Sequence, residues 1–95
     1  MTRAKRLKQL YGITVRQWNL LFEKQNGKCA ICLKPISKPG KGKRAAAVDH
    51  DHVTGRVRGL TDYRCNRFVI GRNRDTSRLK RLIEYLESDF DGREL

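Results

Sequence analysis

AVDHDHVTG, residues 47–55, holds both histidines of the chain, His50 and His52, interleaved with Asp49 and Asp51. Three chemistries use such a pattern: a zinc site, a general base beside a metal-binding acid, or a polar turn. The flanks narrow the local structure. AAAVDH reads as a short strand, DHVTG as a turn and RVRGL as the return strand, so the stretch is the closed end of a β-hairpin. A regular strand would send Asp49 and His50 to opposite faces. Both can serve one site only if the strand breaks or twists at that point.

The neighbours of the hairpin carry thiols. Cys29-Ala30-Ile31-Cys32 has the spacing that lets two sulfurs converge on one zinc ion at about 2.3 Å. No βαβ pattern surrounds it, which argues against a thioredoxin-like redox pair. The matching half-site downstream has Cys65, but the position three residues earlier is Asp62. A carboxylate binds zinc at about 2.0–2.2 Å, so Asp62 is a candidate fourth ligand, with weaker binding expected than from four thiolates. Two alternatives stay open: Asp62 pairs with Arg64 or another cation and zinc is lost, or His52 completes the set. Retained zinc is expected, because a chain this small gains from a metal staple.

With the thiols assigned to a structural ion, the Asp-His run is free for a second task. Asn66 follows Cys65 and is expected at the start of a helix packed on the hairpin. A strand-borne Asp-His pair with an Asn on the next helix is a ββα-metal arrangement. Asp49 and Asn66 are then oxygen ligands for one hard divalent cation, Mg²⁺ or Mn²⁺. His50, with an unperturbed pKa of about 6.5, is the candidate general base for a water attacking phosphorus. His52 either touches the scissile phosphate, orients His50, or satisfies backbone groups of the turn; Asp51 is read as a turn residue.

The remaining chain supplies a core and a charge. Thr14 and Gln17 form a capping-box pattern ahead of a helix whose stripe of Val15, Trp18, Leu21 and Phe22 is read as core, with Gly27 as its left-handed exit. Residues 1–10 are a basic arm, helical or frayed. Residues 34–46 are a surface loop rich in Pro, Gly and Lys. A helix is expected to run from the second knuckle to about Gly71, and a last one from Asp75 or Thr76 to Leu86, burying Leu79, Leu82, Ile83 and Leu86. Phe90 could extend that stripe. Lys and Arg total 22 against 10 Asp and Glu, a net +12 over 95 residues. So strong a surplus, spread along the chain, points to a polyanion and most simply to nucleic acid. Arg56, Arg58, Arg64, Arg67, Arg72 and Arg74 flank the hairpin as a collective phosphate-holding surface, Arg58 being the strongest candidate clamp. No run approaches the roughly 18 apolar residues of a membrane span. Three cysteines without a disulfide framework, and no apolar stretch behind MTRAKRLKQL, suggest one cytoplasmic domain over residues 1–95.

Taken in order, NGKCAIC, AVDHDHVTGRVRGLTDYRCN and the elements joining them resemble the recombination endonuclease VII family of phage HNH-type nucleases, over roughly residues 11–90. The resemblance implies a small α+β fold with a ββα-metal core of the HNH or His-Me-finger type, a structural zinc knuckle and flanking helices. It also implies Asp49 and Asn66 as metal ligands, His50 as general base, and Cys29, Cys32 and Cys65 as zinc ligands, with Asp62 where the family has a cysteine. The activity implied is cleavage of four-way junctions and other branched DNA by a symmetric homodimer. Larger members build that dimer from long extra helices, whereas 30 residues follow Cys65 here. A compact nuclease that nicks or cuts duplex with little selectivity is therefore one rival, and a non-catalytic zinc module that binds nucleic acid is another.

Overall fold

The structure, a computed structural model, describes residues 2–37 and 44–95; the centre of the expected surface loop, 38–43, lies outside them. The basic arm is a docked helix, α1 (Arg3–Tyr11), with Thr2 as N-cap and Gly12 at φ 72° closing its far end. Its Leu7 is buried, and the Arg3 guanidinium lies 4.6 Å from the centroid of the Trp18 ring. Helix α2 (Val15–Lys24) begins with the expected capping box: the Gln17 N–H donates to Thr14 Oγ1 at 3.1 Å and the Thr14 N–H to Gln17 Oε1 at 2.8 Å. Trp18 is 3% exposed and Phe22 stacks on it at 5.4 Å, so the stripe is core, as its spacing predicts.

Beyond α2 the chain turns through two left-handed residues, Asn26 and Gly27, into the first knuckle. Gln25 ties this corner to the sheet. Its Nε2 donates to the carbonyls of Lys28 at 2.9 Å and Leu60 at 2.8 Å, while its Oε1 accepts from the Leu60 N–H at 2.8 Å. Nothing in the sequence marks Gln25 for this role, since its partner is 35 residues away. A Cβ on Gly59 would stand 2.9 Å from the same Oε1, so the sheet needs glycine there for the amide to dock. Gln25→Ala is expected to cost about 1–3 kcal/mol, because the N–H of the buried Leu60 loses its acceptor. Urea unfolding measures it; a midpoint unchanged from the parent would show the amide to be dispensable.

The hairpin forms as read. Strand β1 (Ala46–His50) pairs antiparallel with β2 (Val57–Asp62), in the register Ala46 opposite Asp62 through Asp49 opposite Gly59. The register then shifts, and His50 faces Val57. Arg58 is the extra residue of this bulge, which lies on β2 opposite the Asp49–His50 step. The buried core gathers Leu7, Ile13, Trp18, Cys29, Ile36, Val48, Leu60 and Cys65. Ile36 thus pins one end of the supposed surface loop inside the molecule.

One helical expectation is refined and another corrected. After the second knuckle the chain forms a wide π-helical turn, Cys65–Ile70, rather than an α-helix; the Gly71 N–H reaches the Asn66 carbonyl, five residues back, at 3.2 Å. Such turns concentrate at functional sites. Helix α3 (Thr76–Glu87) starts on Asp75, whose carboxylate accepts from the Ser77 and Arg78 N–H groups, but it buries no residue. Leu82, Ile83 and Leu86 are exposed, as is Phe90, and only Leu79 is half-buried. The amphipathic pattern is real, yet the exposed link 71–75 carries α3 away from the core, in a molecule 61 Å long and 28 Å wide.

Candidate metal centre and cleft

Cys29, Cys32, Asp62 and Cys65 bring one ligand atom each to within 4.8 Å of one another. Tetrahedral zinc with bonds of about 2.3 Å needs donor separations of about 3.8 Å. The first knuckle contributes two sulfurs, the end of β2 the carboxylate, and the first residue of the π-turn the third sulfur. Backbone N–H groups already point at Cys29 Sγ, from Ile31 and from Asp62, each at 3.4 Å. Asp62 is 1% exposed. Its Oδ1 accepts from the Cys65 N–H at 2.7 Å, and its Oδ2 lies 3.1 Å from Cys32 Sγ and 2.9 Å from Arg44 Nη1. Burial works to raise the Asp62 carboxyl, but the Cys65 N–H, the neighbouring thiols and Arg44 together hold it below the usual carboxylate range. Burial pushes the Cys65 thiol up to about 12, with the neighbouring thiols and Asp62 adding to it. Burial also opposes ionisation of Cys29, yet backbone N–H groups of Cys32, Asp62 and Ile31 outweigh it and lower that thiol.

The residues fit zinc. Three thiolates and a carboxylate around Zn²⁺ leave two net negative charges, and Arg44 stands against Asp62 and 3.7 Å from Cys32 Sγ to offset one. The pairing of Asp62 is therefore with Arg44, not Arg64. Sequence offered no sign of Arg44, which sits in the Lys-rich segment with no motif around it. His52 is not part of the cluster.

A second site lies on the other side of the hairpin end. Asp49, His52, Arg58, Tyr63, Asn66, Arg67 and Arg74 line an open cleft of about 450 Å³. Of the residues expected there, Asp49, His52 and Asn66 share this cleft with three of the six arginines. Arg56, Arg64 and Arg72 are exposed outside it. His50 does not line the cleft. Its ring stacks on His52, centroids 4.7 Å apart and 9° from parallel, and meets the edge of Tyr11 at 5.2 Å. Asp51 is the turn residue expected: its Oδ1 accepts from the Val53 and Thr54 N–H groups at 2.8 and 3.0 Å.

Arg58, beside Asp49 on the paired strand, binds its carboxylate. Its Nε is 2.8 Å from Oδ2 and its Nη2 3.3 Å from Oδ1, with a further contact to the His50 carbonyl at 3.4 Å. Asp49 is buried, so this pair neutralises a carboxylate that water scarcely reaches. Two hydrogen bonds leave lone pairs free on both oxygens. A carboxylate and an amide oxygen in one open cleft suit a hard cation such as Mg²⁺, which keeps several waters and takes few protein ligands.

The fold and these sites define a small α+β protein with a two-stranded hairpin, a Cys₃Asp cluster suited to zinc and a basic cleft beside it. The chain belongs to the recombination endonuclease VII family, whose model matches residues 4–88. It is 44% identical over 82 residues to the Gene 59 protein of Mycobacterium phage D29, covering 85% of this chain and 47% of that protein. The Gene 59 protein of Mycobacterium phage L5 is 43% identical over 82 residues, covering 85% and 48%. The chain thus spans about half the length of these relatives. No solved structure matches it at a significant level. Among the described residues no helix is long and apolar enough to cross a membrane.

Proposed function

We propose that the chain is a metal-dependent endonuclease that hydrolyses phosphodiester bonds in branched DNA such as four-way junctions. The observation that carries this is the convergence of Asp49, Asn66 and His52 with Arg58, Arg67 and Arg74 on one cleft of a strongly basic protein. Asp49 and Asn66 would hold Mg²⁺ or Mn²⁺, which when bound stabilises charge on the scissile phosphate and the leaving oxygen. The arginines seat the DNA backbone. His50 is the proposed base, reaching the attacking water by turning from its stack on His52 toward the cleft, while His52, already in the cleft wall, faces the phosphate. Membership of an endonuclease family supports the reaction class. The uncovered stripe of Leu82, Ile83 and Leu86 on α3 supports a homodimer, since an amphipathic helix with no inner partner has an apolar face to offer a second copy.

A four-way junction incubated beside linear duplex in Mg²⁺ tests the reading, with light scattering on the junction complex to count chains. The junction should be cut faster, and His50→Ala should lower its rate by about 10²–10⁴-fold. His52→Ala should cost less. A larger loss in His52→Ala would move the base to the imidazole that lines the cleft. Equal cleavage of both substrates would leave a nuclease without branch selectivity, and no cleavage in any divalent metal would leave a nucleic-acid-binding module.

A further inference from the structure

The π-turn and the residues around it expose aromatic rings in a basic surface. Tyr63 and Phe68 are 47% and 42% exposed, although the chain has only seven aromatic residues. Each is overlaid by guanidinium. Arg67 lies 5.8 Å from the Tyr63 ring and 5.6 Å from the Phe68 ring, and Arg72 lies 5.1 Å from Phe68. Arg67 also donates to the Tyr63 hydroxyl. Tyr63 and Arg67 are four apart, as are Phe68 and Arg72, and Arg67 bridges the two rings. Tyr63 and Arg67 belong to the cleft wall, and Arg67 links them to Phe68, on which Arg72 also lies.

We infer that this Tyr63–Arg67–Phe68–Arg72 strip receives unpaired nucleobases of the DNA whose backbone enters the cleft. The inference rests on the proposed reading of the cleft as a DNA site and adds what the substrate must present there. A fully paired duplex hides its base faces, whereas a branch point, bulge or frayed end exposes them. Aromatic faces flanked by positive charge are the means by which proteins hold single-stranded nucleic acid without reading sequence. The guanidiniums can leave the rings for phosphate oxygens, freeing the faces for bases while keeping the charge in place. A second copy of the same face is a poor occupant, because a two-fold contact would set arginine against arginine. The apolar stripe of α3 lacks these ring-bound guanidiniums and is a separate surface.

The test compares two probes without added Mg²⁺ or Mn²⁺: a linear duplex, and the same duplex carrying an unpaired bulge that contains 2-aminopurine. Fluorescence anisotropy gives affinity, and quenching of the 2-aminopurine reports stacking. The zinc-loaded parent should bind the bulged probe about tenfold more tightly and quench it. Phe68→Leu, which keeps apolar bulk and loses the π face, should lose most of that preference and the quenching, with duplex affinity unchanged. Phe68→Tyr should restore both. A parent that binds the two probes equally, or a Phe68→Leu variant that still prefers and quenches the bulge, overturns the inference while leaving the DNA reading intact. Failure of the parent to bind either probe overturns the DNA reading and this inference with it.

Discussion

Removing zinc with a strong chelator is expected to abolish the cooperative thermal transition of this chain rather than shift it by a few degrees. Domains of this size are stable by about 5–15 kcal/mol, and apparent zinc-binding free energies in small metal-dependent folds reach about 10–16 kcal/mol. Here the ligands are also core: Cys29 and Cys65 belong to the same buried cluster as Trp18 and Leu60. The ion would join the first knuckle, the end of β2 and the π-turn, three segments that meet at the cluster. Without it, Asp62 is an ionised carboxylate buried on Arg44 and the thiols, and Cys65 is a protonated thiol among acceptors. Metal analysis should return one zinc per chain, and Cys29→Ser should purify metal-free and unfolded. Asp62→Cys should hold zinc more tightly than the parent, since sulfur replaces a harder donor. Asp62→Ala should hold it less tightly and also leave Arg44 without its carboxylate. A chelated, zinc-free chain that melts at the parent temperature would assign the cluster to packing alone.

The legibility of the fold followed the range of the forces involved. Capping at Thr14 and Gln17, the stripe of α2, the hairpin and the Cys-x-x-Cys knuckle are written in residues near one another, and all appear in the structure. The register shifts opposite the Asp49–His50 step, with the extra residue on β2, and the two side chains do not share the cleft. Long-range partners could not be read. Arg44 meets Asp62 across 18 residues and Gln25 meets Leu60 across 35, with no periodicity to announce either. Periodicity alone also misjudged α3, because an amphipathic stripe states that a face seeks cover and not whether this chain supplies it. The helix after the second knuckle was legible to its end at Gly71, but its π pitch was not, because its residues suit either winding. Within the cleft, residue types were legible and distances were not. Sequence placed His50 and Asp49 side by side, while the fold stacks His50 on His52 and gives Arg58 to Asp49.

Asp49→Asn is expected to eliminate cleavage, by at least about 10³-fold, while binding DNA more tightly than the parent. The first effect follows from charge: the substitution keeps shape but removes the only anionic oxygen donor proposed for the cation, and two neutral amides hold a hard divalent ion more weakly than a carboxylate and an amide. The second follows from the ion pair. Arg58 spends its guanidinium on Asp49 at 2.8 Å, with the Asp51 carboxylate 3.9 Å from its Nη1 as a weaker second partner. Neutralising Asp49 removes one negative charge from the floor of a cleft that must accept phosphate, and it loosens Arg58, whose side chain is 38% exposed and has a path outward. One more phosphate neutralised should steepen the slope of log K against log salt by about 0.9, so the gain should be largest at low salt and fade as salt rises. Arg58→Ala should lower affinity by leaving the Asp49 charge buried and unpaired against the phosphates, with a slope close to the parent's, because an arginine paired to Asp49 neutralises no phosphate there. Salt titrations of binding to linear duplex, run without Mg²⁺, separate the two variants from the parent. Should Asp49→Asn bind more weakly with an unchanged slope, the Asp49–Arg58 pair would be a strut that shapes the hairpin end. Its arginine would then have no part in holding DNA.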